Sequence, residues 1–368
     1  MCGNTRKLGY GCTTAGENAH EGFVRPARWV IRMPTWLGDT LMAVPTVRAL
    51  GRAVPRLVLW GPGSHGRLLQ ATGVQAELLP YSRRSGPAGL LDMQDAVSKL
   101  AAMRPTGIVI LPNAFEPALI ARLARIRQRI GYATQLRGNL LTAPLPTPDP
   151  LTAVHESRRY LQLLDPTPAA PALHDDWRLA APQRAHQRVR ELVGTDGPLL
   201  AIAPGFANGP AKRWPAEHYG RLVRHAARQW GAVPVLVGGP QDAEATAAVS
   251  TASRTKCLDL AGKTDLLDLA AILACSRAVI ANDSGTAHLA GALGARTLVL
   301  FGPTDPLRTK PLGPHVRVAS MAAFCQPCLS AQCPLDHRCM TDLTPDLVIG
   351  MLDPLWHSAK LPLAGRHG

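Results

Sequence analysis

The stretch Ala278-Val279-Ile280-Ala281-Asn282-Asp283-Ser284-Gly285-Thr286-Ala287-His288-Leu289-Ala290-Gly291-Ala292-Leu293-Gly294-Ala295-Arg296-Thr297-Leu298-Val299-Leu300-Phe301-Gly302-Pro303 decides how this chain is built. Its two short apolar runs, 278–281 and 297–301, are what strands buried on both faces require. The Ala- and Leu-rich segment 286–293 between them predicts a short helix, with Gly294 where a C-cap belongs. The loop Asn282-Asp283-Ser284-Gly285-Thr286 then lies at the carboxyl end of a parallel strand and at a helix N-terminus. Open α/β sheets bind their ligands there. The free N–H groups and partial positive charge of a helix start suit a phosphate. Asp283 suits sugar hydroxyls, or, like Ser284, it serves only as a helix cap.

Working outward, the same alternation recurs. A strand at 29–32 runs into Met33-Pro34-Thr35-Trp36-Leu37-Gly38-Asp39-Thr40, and a helix follows with Pro45 in its first turns. Asp39 stands just past the strand, where a carboxylate is either a helix cap or a general base at the mouth of a cleft. Further strands are expected at 56–60 and 107–111, with helices at 67–71, 92–104 and 118–126 and a short edge strand at 130–132. Proline-rich stretches at 142–150 and 165–171 flank a helix at 153–164 and place a domain boundary near 170–185. Beyond it come strands at 199–203, 233–237 and 258–260 and helices at 216–229, led by Pro215, and 266–274. The pattern predicts an α/β protein with two Rossmann-like domains facing a central cleft. Residues 1–27 read as a flexible extension, 28–175 as the first domain and 176–368 as the second. The proline-rich connection at 165–171 predicts a hinge, and with it an open cleft that keeps Asp39 far from Asp283.

Composition narrows the function. With 46% hydrophobic and 18% charged residues, the 368-residue chain is globular rather than disordered. A net charge of +14 admits nucleic acid, an anionic membrane surface or phosphorylated substrates as partners. No nucleic-acid motif is present, and at 5% aromatic residues base-stacking platforms are not evident, so nucleic acid is not expected. No apolar run approaches the ~20 residues of a membrane span. The first 27 residues lack the apolar core of a signal peptide, which predicts a cytoplasmic protein with reduced thiols. A dehydrogenase is disfavoured, because no Gly-x-Gly-x-x-Gly follows the first strand.

Three segments carry a family resemblance: Pro34-Thr35-Trp36-Leu37-Gly38-Asp39; Pro204-Gly205-Phe206-Ala207-Asn208-Gly209-Pro210-Ala211-Lys212-Arg213-Trp214-Pro215; and Asn282 to His288 together with Phe301-Gly302-Pro303-Thr304-Asp305-Pro306. In identity, order and spacing, over about residues 28–350, the chain resembles the ADP-heptose:lipopolysaccharide heptosyltransferases, glycosyltransferase family 9, of the GT-B fold. The Gly-Pro-Ala-Lys-Arg-Trp-Pro form looks most like the branch that adds the second inner-core heptose. The resemblance implies an acceptor-binding domain at 28–175 and a donor-binding domain at 176–368. It implies Asp39 as the base, Lys212 on the donor diphosphate, and Asp283 on donor heptose hydroxyls. Ser284, Gly285 and Thr286 would hold the diphosphate with His288 close by, and Asp242 would reach the ribose. No cofactor or metal is implied, since no Asp-x-Asp motif is present. The implied partners are ADP-heptose and a lipid-anchored lipopolysaccharide core acceptor, met at the inner membrane face. Arg83, Arg84, Arg122, Arg125 and Arg137 would suit that acceptor's anionic groups, or are ordinary solvated surface. Two alternatives are a related GT-B transferase using another nucleotide sugar and a non-catalytic protein binding anionic glycan.

The late cysteines Cys325, Cys328, Cys333 and Cys339, with His337 among them, have a spacing tighter than common zinc modules. Free thiols are expected there, with zinc as the alternative.

Overall fold

The computed structural model describes residues 27–147, 154–164, 177–206 and 209–358. The expected extension up to residue 26, the proline-rich connection 165–171, and Ala207 and Asn208 lie outside the described residues. Among the described residues, twelve strands form two sheets. The first sheet contains β1 (Arg28–Arg32), β2 (Arg56–Gly61), β3 (Glu77–Pro80), β4 (Gly107–Ile110), β5 (Gln128–Tyr132) and β6 (Ala143–Leu145). The second contains β7 (Leu199–Ala203), β8 (Val233–Leu236), β9 (Leu258–Asp259), β10 (Ala278–Asn282), β11 (Thr297–Phe301) and β12 (Val316–Ser320). Their orders are β3-β2-β1-β4-β5-β6 and β12-β11-β10-β7-β8-β9. All neighbours pair in parallel. Counted within its own sheet, each order is the doubly wound 3-2-1-4-5-6. The order reverses between β1 and β4 in one sheet and between β7 and β10 in the other, which is where such sheets open a ligand crevice.

Strands β4, β7, β10 and β11 are buried along their whole length. They are the continuous apolar runs of the sequence. The segment 130–132 is not an edge: β6 pairs with it, Ile130 opposite Ala143. β6 carries Pro144 and so reads as a connection, yet an edge strand accommodates the missing donor. Two further outer strands, β3 and β12, are half-exposed and lack the apolar run that marks a strand in sequence, whereas the fourth, β9, falls in the expected stretch 258–260. The helix after β1 is two helices, Leu37–Met42 and Val44–Ala53, meeting at Ala43. Pro45 cannot donate to the preceding turn, so the first helix stops before it.

The two halves are not held apart. One cluster of buried residues runs through both, from Leu41 and Val47 to Leu273, Val279 and Leu289. The strip 179–180 bonds to both: Leu179 N donates to Ala292 O in the second half at 2.7 Å, and Ala180 N to Thr72 O in the first at 3.1 Å. The expected open cleft is therefore corrected. Apolar side chains at the facing helix starts bury one another, which the proline content of the connection does not reveal.

Candidate active site

Two helix starts meet at the seam between the sheets, Leu37–Met42 after β1 and Gly285–Ala292 after β10. Glycine permits the approach. A Cβ on Gly285 would stand 2.8 Å from Leu37 Cβ, and one on Gly38 3.1 Å from His288 Cδ2. Asp39 and Asp283 thus share one electrostatic neighbourhood.

Asp39 lies in the first turn of its helix, whose N-cap position is Trp36, so Asp39 is not the cap. No hydrogen bond to its carboxylate is present among the described residues. Burial pushes the Asp39 carboxyl up to about 6, Glu156 and Asp283 add to the rise, and Lys212 opposes it. Glu156 opens the helix Glu156–Gln162. It pairs with Arg159 at 2.6 Å and, across the seam, with Arg308 at 3.5 Å. Its neighbour His155 bonds the Lys310 carbonyl through Nε2 at 2.9 Å.

On the facing side, Lys212 and Asp283 form an ion pair, Nζ to Oδ2 2.6 Å, with Asp283 only 6% exposed and Lys212 17%. Thr304 donates to the same Oδ2 at 2.8 Å. The sequence treats Lys212 and Asp283 as acting separately; the fold joins them across the β7–β10 switch point. The joint is set by Asn282, fully buried at the end of β10. Its Nδ2 donates to Pro204 O at 2.8 Å and Gly205 O at 3.2 Å, and its Oδ1 accepts from Tyr219 at 2.9 Å. Asn282 and Thr304 both stand inside the quoted motifs, but neither role is visible without knowing what they face.

Ser284 is the N-cap residue of the helix Gly285–Ala292 but makes no side-chain cap bond, and its buried Oγ has no partner among the described residues. Gly285 and Thr286 follow in the first turn. His288 is buried one turn on. Burial lowers its pKa to about 4, assisted by His155 and Lys212 against Asp283, so its ring is neutral at physiological pH. Asp242 packs against Gly205, whose carbonyl Asn282 holds. Its carboxylate accepts from the backbone of Gly239 at 2.8 Å and of Phe206, and burial raises its pKa. It ties the ends of β7 and β8 together.

The basic residues of the first half are largely committed elsewhere. Arg83 pairs with Glu116 and Arg84 with Asp92. Arg137 is fully buried on the carbonyls of Tyr132, Pro112 and Ala114. Of the five basic candidates only Arg137 belongs to the interior of the first half; Arg83, Arg84, Arg122 and Arg125 are exposed, the first two in surface ion pairs. The cysteines Cys325, Cys328, Cys333 and Cys339 gather in one C-terminal segment. Burial, then the neighbouring Cys333, Cys325 and Cys328, pushes the Cys339 thiol up to about 11. No three metal-ligating side chains are set to hold an ion among the described residues. A cleft of about 840 Å³ opens elsewhere, among Arg277, Arg296 and Leu199 at the amino ends of the second sheet's strands. That is the wrong edge for this chemistry, and the side chains, not the volume, locate the site.

Comparison with known proteins agrees with this geometry. Residues 98–338 match the profile of glycosyltransferase family 9 (heptosyltransferase). Lipopolysaccharide heptosyltransferase 2 of Escherichia coli K12 is 27% identical over 338 residues, covering 88% of this chain and 96% of that protein. Its counterpart in Salmonella typhimurium LT2 is 29% identical over the same coverage. The solved structure of E. coli ADP-heptose LPS heptosyltransferase II superposes with a TM-score of 0.76 at 26% identity, covering 90% of this chain and 98% of that one. With the profile spanning most of the chain and the doubly wound pair of sheets shared, the chain belongs to glycosyltransferase family 9, the heptosyltransferases.

Proposed function

We propose that the protein transfers heptose from ADP-L-glycero-D-manno-heptose to the first heptose of the lipopolysaccharide inner core, with inversion. The half built on the first sheet receives the acceptor and the half built on the second the donor. The observation that carries this reading is the facing pair: Asp39, a half-buried carboxylate with no hydrogen bond among the described residues and a pKa of about 6, opposite the Lys212–Asp283 ion pair. Asp39 takes the proton of the acceptor hydroxyl as its oxygen attacks the anomeric carbon. The bond to the diphosphate breaks on the opposite side, and the leaving charge is met by Lys212 and the start of the helix Gly285–Ala292. Ser284, with its unpartnered Oγ, and Thr286 supply further donors there. Asp283 orients Lys212 and offers its second oxygen to heptose hydroxyls. His288 is a neutral packing partner beside the diphosphate.

The names of the relatives support the substrate class, lipopolysaccharide and ADP-heptose. The lipid-anchored acceptor places the work at the inner membrane face, and the net charge of +14 suits that surface. No helix among the described residues is long and apolar enough to cross a membrane. The test offers ADP-heptose and other nucleotide sugars to the purified protein with heptose-bearing core acceptors and follows product mass. Transfer from ADP-heptose alone is expected. Transfer only from a different nucleotide sugar sinks the donor assignment, and no transfer from any of them sinks the catalytic reading.

A further inference from the structure

We infer that the C-terminal cysteine-bearing segment is a brace that sets Lys212 against Asp283, with His337 as its positioning residue; this rests on the role proposed for Lys212. Both backbone polar groups of Ala211, the residue before Lys212, are held by that segment. Ala211 N donates to Ala331 O at 3.0 Å, and His337 Nε2 stands 2.7 Å from Ala211 O. A carbonyl only accepts, so Nε2 carries the proton and the ring's tautomer is fixed by the contact. Ala211 is buried, and an unmade bond to its carbonyl would leave a desolvated acceptor. Gly209, at φ +110°, comes so close that a Cβ would strike Ala331 O.

The same segment holds the other loop that reaches Asp283. Leu329 N donates to Pro303 O at 2.9 Å, and Gln326 Nε2 donates to Gly302 O. The next residue, Thr304, bonds Asp283 Oδ2. One stretch of chain therefore grips both loops that converge on a single carboxylate oxygen. Buried Cys339 and Met340 anchor it in the core of the second half. His337 itself sits at φ +59°, a left-handed backbone that a side chain other than glycine adopts at a cost. Strain of that kind persists where the surroundings over-determine it. Here it turns the imidazole onto the Lys212 loop.

Two amide side chains separate the bond from the fold. Asn at 337 tolerates the left-handed backbone but is too short to reach Ala211, whereas the Gln amide lies near the place of Nε2. His337→Asn is expected to lower turnover on the order of tenfold to a hundredfold and to weaken ADP binding, as an ångström-scale displacement of Lys212 would. The acceptor KM should be unchanged, and His337→Gln should restore most of the loss. The deciding measurement is a double-mutant cycle with Lys212→Ala. A brace that acts through Lys212 adds less than about twofold in that background. Unchanged turnover and ADP affinity in His337→Asn, or a loss repeated in full on Lys212→Ala, would overturn the brace alone. A Lys212→Ala protein with normal turnover and ADP affinity overturns the proposed role of Lys212 first, and the brace with it.

Discussion

The two halves have the same strand order, and each sets an aspartate beyond a strand of its switch point: Asp39 in the helix after the first strand of one sheet, Asp283 directly after the fourth strand of the other. The two aspartates live in opposite surroundings. Asp283, after β10, is held by a lysine ammonium and a threonine hydroxyl on one oxygen. Asp39, after β1, has no hydrogen bond among the described residues and is pushed up to about 6 by burial and by Glu156. A doubly wound sheet supplies the position; the loops that meet it supply the chemistry. A carboxylate already bound to a cation orients, and one left without a donor is available to take a proton.

The sharpest way to break this comparison is Lys212→Ala. Removing the cation leaves Asp283 buried and uncompensated, at a cost of about 3–5 kcal/mol in stability. Turnover should fall on the order of a hundredfold to a thousandfold, with weaker ADP binding. Denaturant unfolding, steady-state kinetics and calorimetry read the three effects, and a protein unchanged in all of them contradicts the ion-pair account.

Asp39→Asn should behave differently. Turnover is expected to fall on the order of a hundredfold while ADP affinity holds. The sign of its stability effect is opposite as well. A folded pKa of about 6, above the ordinary 3.8, contributes stability that is present below pH 3.8 and lost as pH rises through about 6. At neutral pH the ionised carboxylate is therefore a burden, and Asn should raise the melting temperature at pH 7. A lower melting temperature with normal turnover would mean that Asp39 is structural.

Gly285→Ala probes the seam itself. Its Cβ would meet Leu37 Cβ at 2.8 Å, so one helix start must shift, at about 1–3 kcal/mol. Scanning calorimetry should show the lower melting temperature, and turnover should fall with it. A protein as stable and active as the original would show that the two helix starts do not pack as described.

The smallest effect concerns pH. The kcat/KM profile should rise as pH increases through about 6, where Asp39 loses its proton. Glu156→Gln removes a negative neighbour and should move that limb to lower pH. A limb that stays in place in Glu156→Gln excludes Glu156 as a tuner of the base.

What the sequence alone determined is whatever repeats locally. Buried central strands such as Leu199–Ala203 and Thr297–Phe301 are continuous apolar runs, so their number, type and place in two α/β halves are legible. The three polar loops that follow such strands carry Asp39, Lys212 and Asp283, and their residue types and order indicate the family. Outer strands such as Ala143–Leu145 and Val316–Ser320 are not legible, because half-exposed residues carry little hydrophobic signal. Tertiary structure alone decided which polar groups meet. The Lys212–Asp283 bond joins residues 71 apart in sequence, and the His337–Ala211 contact joins residues 126 apart. It also closed the seam at Gly38 and Gly285, consigned Arg137 to the interior, and left the Asp39 carboxylate without a hydrogen bond among the described residues. Hydrogen bonds and ion pairs act over a few ångströms, so a residue's role depends on neighbours that only the folded chain brings within reach.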